Sequence, residues 1–326
     1  MPSLSATAIA HPNIALIKYW GNRNQELRLP SSGSVSINLS ELYTRTRVTF
    51  KPGLHRDSLT INRQRVLRAS LARVTSLLDI FRQMTGKNIH AEVVSENNFP
   101  AATGLASSAA AFAALTLAAA RALELNLTEV ELSRLARRGS GSACRSIPPG
   151  FVEWQPGQSE SDSYAYSIAS PDYWKLADCI ALIESAPKQV GSTEGHVLAD
   201  SSPLQASRLL DTPRRIGICR RAIFERDFEQ LAEITELDSN MMHAVMMTSQ
   251  PAVFYWEPVS LSLMKAIPAW RKQGIPVCYT LDAGPNVHCI CPVEAAAEVK
   301  ARLQQVPGVA QILYAEVSEG ARLEAA

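Results

Sequence analysis

Apolar and polar positions alternate with a period of two over residues 33–39 (GSVSINL), with Val35, Ile37 and Leu39 on one side. That is the period of a half-buried strand. Residues 4–18 (LSATAIAHPNIALIK) read as a strand, a turn at His11-Pro12-Asn13 and a second apolar strand. Further strands are predicted at 43–50, 58–66 (turning at Asn62-Arg63) and 89–95. Between the last two, Leu71, Val74, Leu77, Leu78 and Phe81 recur at helical spacing, predicting a helix over 68–85. Thr128 and Glu131 form a capping box for a short helix ending at Gly139, followed by a break at GSGSACRS (139–146). Strands near 150–156 and 163–169 close the first half. The second half opens with a strand at 179–185 and is helical through about 273. Strands at 276–282 and 286–292, a helix near 294–305 and a strand at 309–317 complete it. Helices backing antiparallel sheet define an α+β class, with a lobe boundary in the Pro/Asp-rich segment near 171–178. The division is therefore drawn as 1–177 and 178–326.

The stretch 100–123 (PAATGLASSAAAFAALTLAAARAL) stands out within this pattern. Alanine is the strongest helix former, so 105–124 should be helical with Gly104 at its first turn. A helix start exposes unpaired N–H groups and a partial positive charge, and small side chains let an anion approach them. The stretch reads equally as a phosphate cradle or as an Ala-rich core helix. It lacks the lysine of G-x-x-x-x-G-K-[ST], so it is not a Walker loop.

Composition narrows the classes. The chain has 326 residues, 46% hydrophobic and 19% charged, with a formal net charge of +1. Dispersed basic residues argue against nucleic acid as a partner, and no apolar run suits a bilayer span. The six cysteines form no C-x-x-C pair, which predicts reduced, buried thiols in a cytoplasmic protein. Arg214, Arg215, Arg220 and Arg221 cluster on a predicted helix and read as a solvated face, and His243 receives no catalytic role.

Three more segments carry chemistry. Lys18-Tyr19-Trp20-Gly21 ends an apolar strand, where a lysine can serve an anion as a point charge or simply sit at the surface beside a packed Trp. Ser140-Gly141-Ser142-Ala143-Cys144-Arg145 combines hydroxyls with an arginine whose planar fork suits carboxylate or phosphate. Asp282-Ala283-Gly284-Pro285-Asn286 is either a carboxylate at a strand end or a hairpin turn.

Together these segments resemble a known family. PAATGLASSAA resembles the phosphate loop of the GHMP kinase superfamily, which includes galactokinase and the homoserine, mevalonate and phosphomevalonate kinases. The fuller set, NIALIKYWG, SENNFPAATGLASSAAAFAAL, RRGSGSACRS, VGSTEG, LDSNMMHAV and DAGPN, is similar to the mevalonate diphosphate decarboxylases, in order, from Ala8 to about Asn286. The resemblance implies a two-lobed GHMP fold, with an N-terminal lobe like ribosomal protein S5 domain 2 and a ferredoxin-like C-terminal lobe around a ligand cleft. It implies an ATP- and Mg2+-dependent lyase of isoprenoid biosynthesis and a homodimer.

The resemblance also implies roles. Asp282 matches a base or orienting carboxylate at the tertiary hydroxyl, Lys18 a cation at the transferring phosphoryl group, and Arg145 the holder of the substrate carboxylate. Ser140, Gly141, Ser142, Tyr19 and Asn22 match the substrate's other contacts. Ser107 and Ser108 match ATP and Mg2+ ligands, Gly104, Leu105 and Ala106 lend backbone N–H groups to ATP, and Asn97 lies near the nucleotide.

Two positions depart from the family pattern. K-Y-W-G is followed by Asn22-Arg23-Asn24 where the family has K-R-D, and His196 stands where it commonly has Met. A charge-assisted contact contributes roughly 1.5–3 kcal/mol, so losing that lysine weakens a diphosphate pole unless Arg23 stands in. The expectation is decarboxylation of mevalonate 5-phosphate to isopentenyl phosphate. The alternatives are the 5-diphosphate giving isopentenyl diphosphate, a kinase that stops before decarboxylation, or a non-catalytic relative.

Overall fold

The computed structural model describes residues 4–67, 69–99, 107–183 and 190–324. The first sheet has the strand order β16 (Arg322–Leu323), β1 (Leu4–Ala10), β6 (Thr44–Lys51), β9 (His90–Asn97), β7 (Ser58–Ile61) and β8 (Gln64–Val66). The second runs β11 (Tyr164–Ala169), β10 (Phe151–Gln155), β5 (Ser34–Asn38) and β2 (Asn13–Ile17). The third runs β13 (Cys278–Thr280), β14 (Val287–Pro292), β12 (Leu176–Ile183) and β15 (Val309–Glu316). A short pair, β3 (Asn22–Asn24) and β4 (Leu29–Pro30), forms a separate two-stranded sheet. Pairing is antiparallel except between β7 and β9. The helices are α1 (Ala69–Thr85), α2 (Ser107–Ala122), α3 (Glu129–Gly139), α4 (Ser192–Leu198), α5 (Gln205–Glu225), α6 (Phe228–Met247), α7 (Pro258–Lys272) and α8 (Ala296–Gln304).

Each lobe is built on side-chain size and periodicity. Strand β6 buries every second residue, and its inner positions Val48 and Phe50 meet α2. The alanines of α2 leave almost no side-chain bulk, so this helix lies directly on β1 and β6 while Phe112 and Leu115 fill the gaps. Thr128 and Glu131 form the expected capping box of α3. The segment after Gly139 is not an open loop: residues Gly141–Ser146 form a 3-10 helix, buried apart from the partly exposed Ser142.

Gly139 ends α3 against α2. A Cβ there would fall 2.1 Å from Phe112 Cδ1, so Gly139→Ala is expected to destabilise the fold by about 1–3 kcal/mol through overpacking. An unchanged urea midpoint would remove this contact as the reason for glycine.

A second core joins the lobes. Ile14, Leu16, Ile17, Val35 and Ile37 of the second sheet pack with Cys219, Ala222 and Ile223 of α5, Leu231 and Ile234 of α6, and Ile180, Cys278 and Ile290 of the third sheet. The opposite face of the third sheet packs on α7 and α8 through Leu263, Ile267, Val299 and Leu303. The six cysteines are free and buried. Among the described residues, no helix is long and apolar enough to cross a membrane.

The arginine cluster of α5 is not one solvated face. Arg214 is exposed and paired with Asp211, but the Arg215 side chain is 0% exposed and pairs with Asp238 of α6. Its position lies on the stripe of α5 that carries Cys219, Ala222 and Ile223 into the core, so burial follows and Asp238 supplies the charge that burial requires.

Candidate active site

A cleft of about 530 Å3 opens between the lobes, and residues distant in sequence converge on it. Strand β2 is buried along its whole length, so it carries the next residue, Lys18, into the interior; its side chain is only 1% exposed. Lys18 Nζ donates to Asp282 Oδ1 at 2.6 Å. Asp282 lies two residues past β13 with its side chain 30% exposed, facing the cleft. Burial would raise the Asp282 pKa, but Lys18, His288 and Arg145 outweigh it and hold the carboxyl below its ordinary range. Burial draws the Lys18 amine below its ordinary value, and Asp282 opposes that shift.

Arg145 sits on the 3-10 helix, nearly fully buried. Its Nε and Nη2 donate to Asn13 Oδ1 at 3.2 and 3.0 Å, and its Nη1 donates to Ser34 Oγ at 2.7 Å. These neutral acceptors fix the guanidinium without neutralising it. Asn13 was not singled out in the sequence, yet it also donates to Ser142 O and Ser146 Oγ.

Around this pair lie Tyr19, Ser140, Gly141 and Ser142. The Tyr19 ring packs 4.2 Å from His196 and 4.7 Å from Trp154, and burial raises its phenol pKa, keeping it neutral. Its hydroxyl donates to Asn22 Oδ1, while Asn22 Nδ2 donates to Gln25 Oε1 at 2.9 Å. Asn22 therefore braces Tyr19. Gly21 N donates to His196 Nδ1 at 3.0 Å, which places the ring proton of the neutral imidazole on Nε2. Burial pushes the His196 pKa down to about 3.

Ser107 and Ser108 open the 16-residue helix α2 and line the cleft, with Ser108 Oγ 3.2 Å from Ser140 Oγ. Gly104, Leu105 and Ala106 lie outside the described residues. Asn97 lies in an adjoining groove that shares Arg73, Ser107 and Ser108 with the cleft and is lined by Leu59, Val93 and Leu115. No group of three or more His, Cys, Asp or Glu that could hold a metal occurs among the described residues. The oxygen donors and cations suit a metal carried on phosphate rather than one held in a protein cage.

Two cations were missed from sequence. Arg28, in the left-handed region with φ +50, donates from Nε to Arg138 O at 3.1 Å. Arg73 donates to Gly139 O at 3.0 Å and stacks on Phe112 at 4.8 Å. Both line the cleft beside Lys18 and Arg145. A single arginine on the polar face of a helix or in a turn carries no local signal of such a position.

Comparison with known proteins agrees with this layout. Residues 10–165 match the diphosphomevalonate decarboxylase-like N-terminal domain, and residues 179–322 match the mevalonate 5-diphosphate decarboxylase C-terminal domain. The diphosphomevalonate decarboxylase of Candida albicans is 38% identical over 301 residues, covering 86% of this chain and 83% of that one. The crystal structure of mevalonate diphosphate decarboxylase from Staphylococcus aureus superposes with a TM-score of 0.96 at 35% identity, covering 99% of each chain. The complex of MDDEF with MVAPP, AMPPCP and magnesium superposes at 0.94 and 37% identity, covering 100% of each. The architecture is the two-lobed GHMP-kinase fold. Within it, the chain belongs to the mevalonate diphosphate decarboxylase family.

The monophosphate expectation is overturned by these relatives, which are named for the diphosphate and one of which binds MVAPP. The physical reason lies in the cleft. Losing one lysine at Asn22 leaves Lys18, Arg28, Arg73 and Arg145 along the same surface. Arg23 is no substitute for that lysine, because its guanidinium donates to the carbonyls of Pro30, Pro156 and Gly157.

Proposed function

We propose that the protein is an ATP- and Mg2+-dependent decarboxylase that converts mevalonate 5-diphosphate to isopentenyl diphosphate. The observation that carries this reading is the Lys18–Asp282 contact of 2.6 Å, set in a cleft that also gathers Arg28, Arg73 and Arg145 with the hydroxyls of Ser107, Ser108, Ser140 and Ser142. The γ-phosphoryl group of ATP goes to the tertiary hydroxyl of the substrate, with ADP as the leaving group. The C–O bond then breaks with its electron pair going to phosphate, the C–C bond to the carboxylate supplies the new double bond, and CO2 departs.

Asp282 orients the tertiary hydroxyl and takes its proton, and being ionised at neutral pH it is ready for that role. Lys18 offsets negative charge on the transferring group. Arg145 holds the substrate carboxylate; its fixed fork aligns that group for departure. Ser140, Gly141, Ser142 and Tyr19, braced by Asn22, contact the phosphorylated arm, with Arg28 and Arg73 as its cations. Ser107, Ser108 and the segment Gly104–Ala106 hold the ATP phosphates at the start of α2, and Ser107 or Ser108 supplies a hydroxyl to Mg2+. Bound Mg2+ supplies charge neutralisation on those phosphates. The slot lined by Leu59, Val93, Leu115 and Asn97 suits the adenine base. In this reading the two walls come from 1–177 and 178–326, except that β12 begins at Leu176, just before that division, and β16 (Arg322–Leu323) returns from the second half to pair with β1. Six buried free thiols support a reducing, cytoplasmic setting. A homodimer, expected from the family, is checked by sedimentation.

The test is a steady-state assay with ATP and mevalonate 5-diphosphate, following ADP and CO2 together. Stoichiometric release of both is expected; ADP without CO2 would make the protein a kinase, and no ATP turnover would leave only a ligand-binding relative.

Gly141→Ala gives a narrower check on the substrate side. A Cβ there would sit 2.5 Å from the Tyr19 hydroxyl and 2.6 Å from its ring, so the phenol must move. The KM for the diphosphate substrate is expected to rise about tenfold or more, with the KM for ATP near its original value. Equal changes in both would detach Gly141 and Tyr19 from the substrate arm.

A further inference from the structure

We infer that Asp238 and Ser239, adjacent on α6, are positioning residues that set the distance between Lys18 and Asp282. This rests on the proposed roles of Lys18 and Asp282. Both reacting groups stand just past the ends of strands: Lys18 one residue beyond β2 and Asp282 two beyond β13. There the sheet ladders have stopped, so buried backbone N–H groups need other partners. Helix α6 packs on both strands and supplies them. Asp238 Oδ2 accepts from Lys18 N at 2.6 Å, and Ser239 Oγ accepts from Leu281 N at 3.0 Å. Asp238 and Ser239 are 0% exposed.

Two consecutive side chains of one helix thus grip the two strand ends that bring Lys18 Nζ and Asp282 Oδ1 together. The spacing is fixed by a rigid helical turn rather than by either loop. The grip on Asp238 is itself fixed. Arg215 Nε donates to Asp238 Oδ1 at 2.7 Å, and Arg215 Nη2 donates to Arg208 O at 3.0 Å. Arg208 Nη2 donates to Lys18 O at 2.8 Å, so both backbone polar atoms of Lys18 are held from α5 and α6. Farther along the same segment, Gln205 Nε2 donates to Trp20 O at 3.1 Å. Ser239 forms no ion pair, and removing its hydroxyl leaves the charges of the site as they were. Any effect of its loss on turnover is therefore an effect of position.

The experiment compares Ser239→Ala, Ser239→Thr and Ser239→Cys with Asp282→Asn, in the full-length enzyme with ATP and mevalonate 5-diphosphate. Thermal melting identifies the folded variants. Ser239→Ala and Ser239→Cys are expected to lower kcat about 10- to 100-fold, the scale of an ångström-level misplacement, with both KM values within about threefold. Ser239→Thr keeps the hydroxyl and is expected to restore most of kcat. Wild-type kcat in a folded Ser239→Ala or Ser239→Cys, with Asp282→Asn inactive, overturns the positioning role and leaves the reading of Asp282 intact. A lowered melting temperature with unchanged kcat does the same. Full turnover in Asp282→Asn instead overturns the reading on which the inference rests.

Discussion

Asp282→Asn is expected to lower kcat by about 10²- to 10⁴-fold, the range supplied by a positioned general base, while ATP affinity stays near its original value. The substitution keeps the volume of the side chain and removes only its charge and basicity. ATP is held elsewhere in the proposed site, at the start of α2 and in the slot lined by Leu59, Val93 and Leu115, so its binding has no reason to fail. The Lys18 ammonium, 1% exposed, would keep an acceptor in the amide oxygen but lose the counter-charge 2.6 Å away. A buried charge stripped of its counterion destabilises the fold, so some loss of melting temperature accompanies the loss of rate. Rate and ATP affinity are read together, by steady-state ADP release and nucleotide titration. Turnover at the original level would remove Asp282 from the chemistry.

What was legible in the sequence were the features with a local signal. The alanines of α2 predict its helicity, and the serines at its start predict small polar groups there; its close approach to β1 and β6 emerges only with the sheet in place. The Thr128–Glu131 capping box appears as expected. Lys18 could not be told locally from a surface lysine, because nothing in KYWG states that β2 is covered on both faces. Its pairing with Asp282, 264 positions away, is a fact of topology that neither motif contains. The same holds for Arg215, whose burial depends on Asp238 in the next helix. The substrate misreading has a related origin. The strand-end motif shows one missing cation, whereas Arg28 and Arg73 reach the cleft from a turn and from α1. Charge in a binding cleft is a sum over elements, and a single motif reports only its own share.

Lys18→Met is the second large effect expected, and it separates two roles that Asp282→Asn leaves together. Methionine keeps the length of the side chain and removes its charge. Loss of a cation aimed at developing negative charge typically lowers kcat by about 10²- to 10³-fold. The pH dependence carries the further information. In the native site, burial raises the Asp282 pKa while Lys18, His288 and Arg145 lower it, and the charges prevail. His196 on α4 shares the cleft with this carboxylate and His243 on α6 bonds the backbone beside it; burial pushes each of their pKa values down to about 3, so both are neutral above that. With Lys18 gone, burial meets weaker opposition and the Asp282 pKa rises. Because the base must be ionised to act, the acid limb of the kcat profile moves to higher pH. The native enzyme should hold its rate down to about pH 5, since its carboxyl lies below the ordinary aspartate value of 3.8. The variant should already be losing rate there, on top of the uniform loss from the missing cation. A lowered rate with an unmoved acid limb would mean that Lys18 serves the phosphoryl group alone. A displaced limb with a nearly normal plateau would mean that its main work is to keep Asp282 ionised.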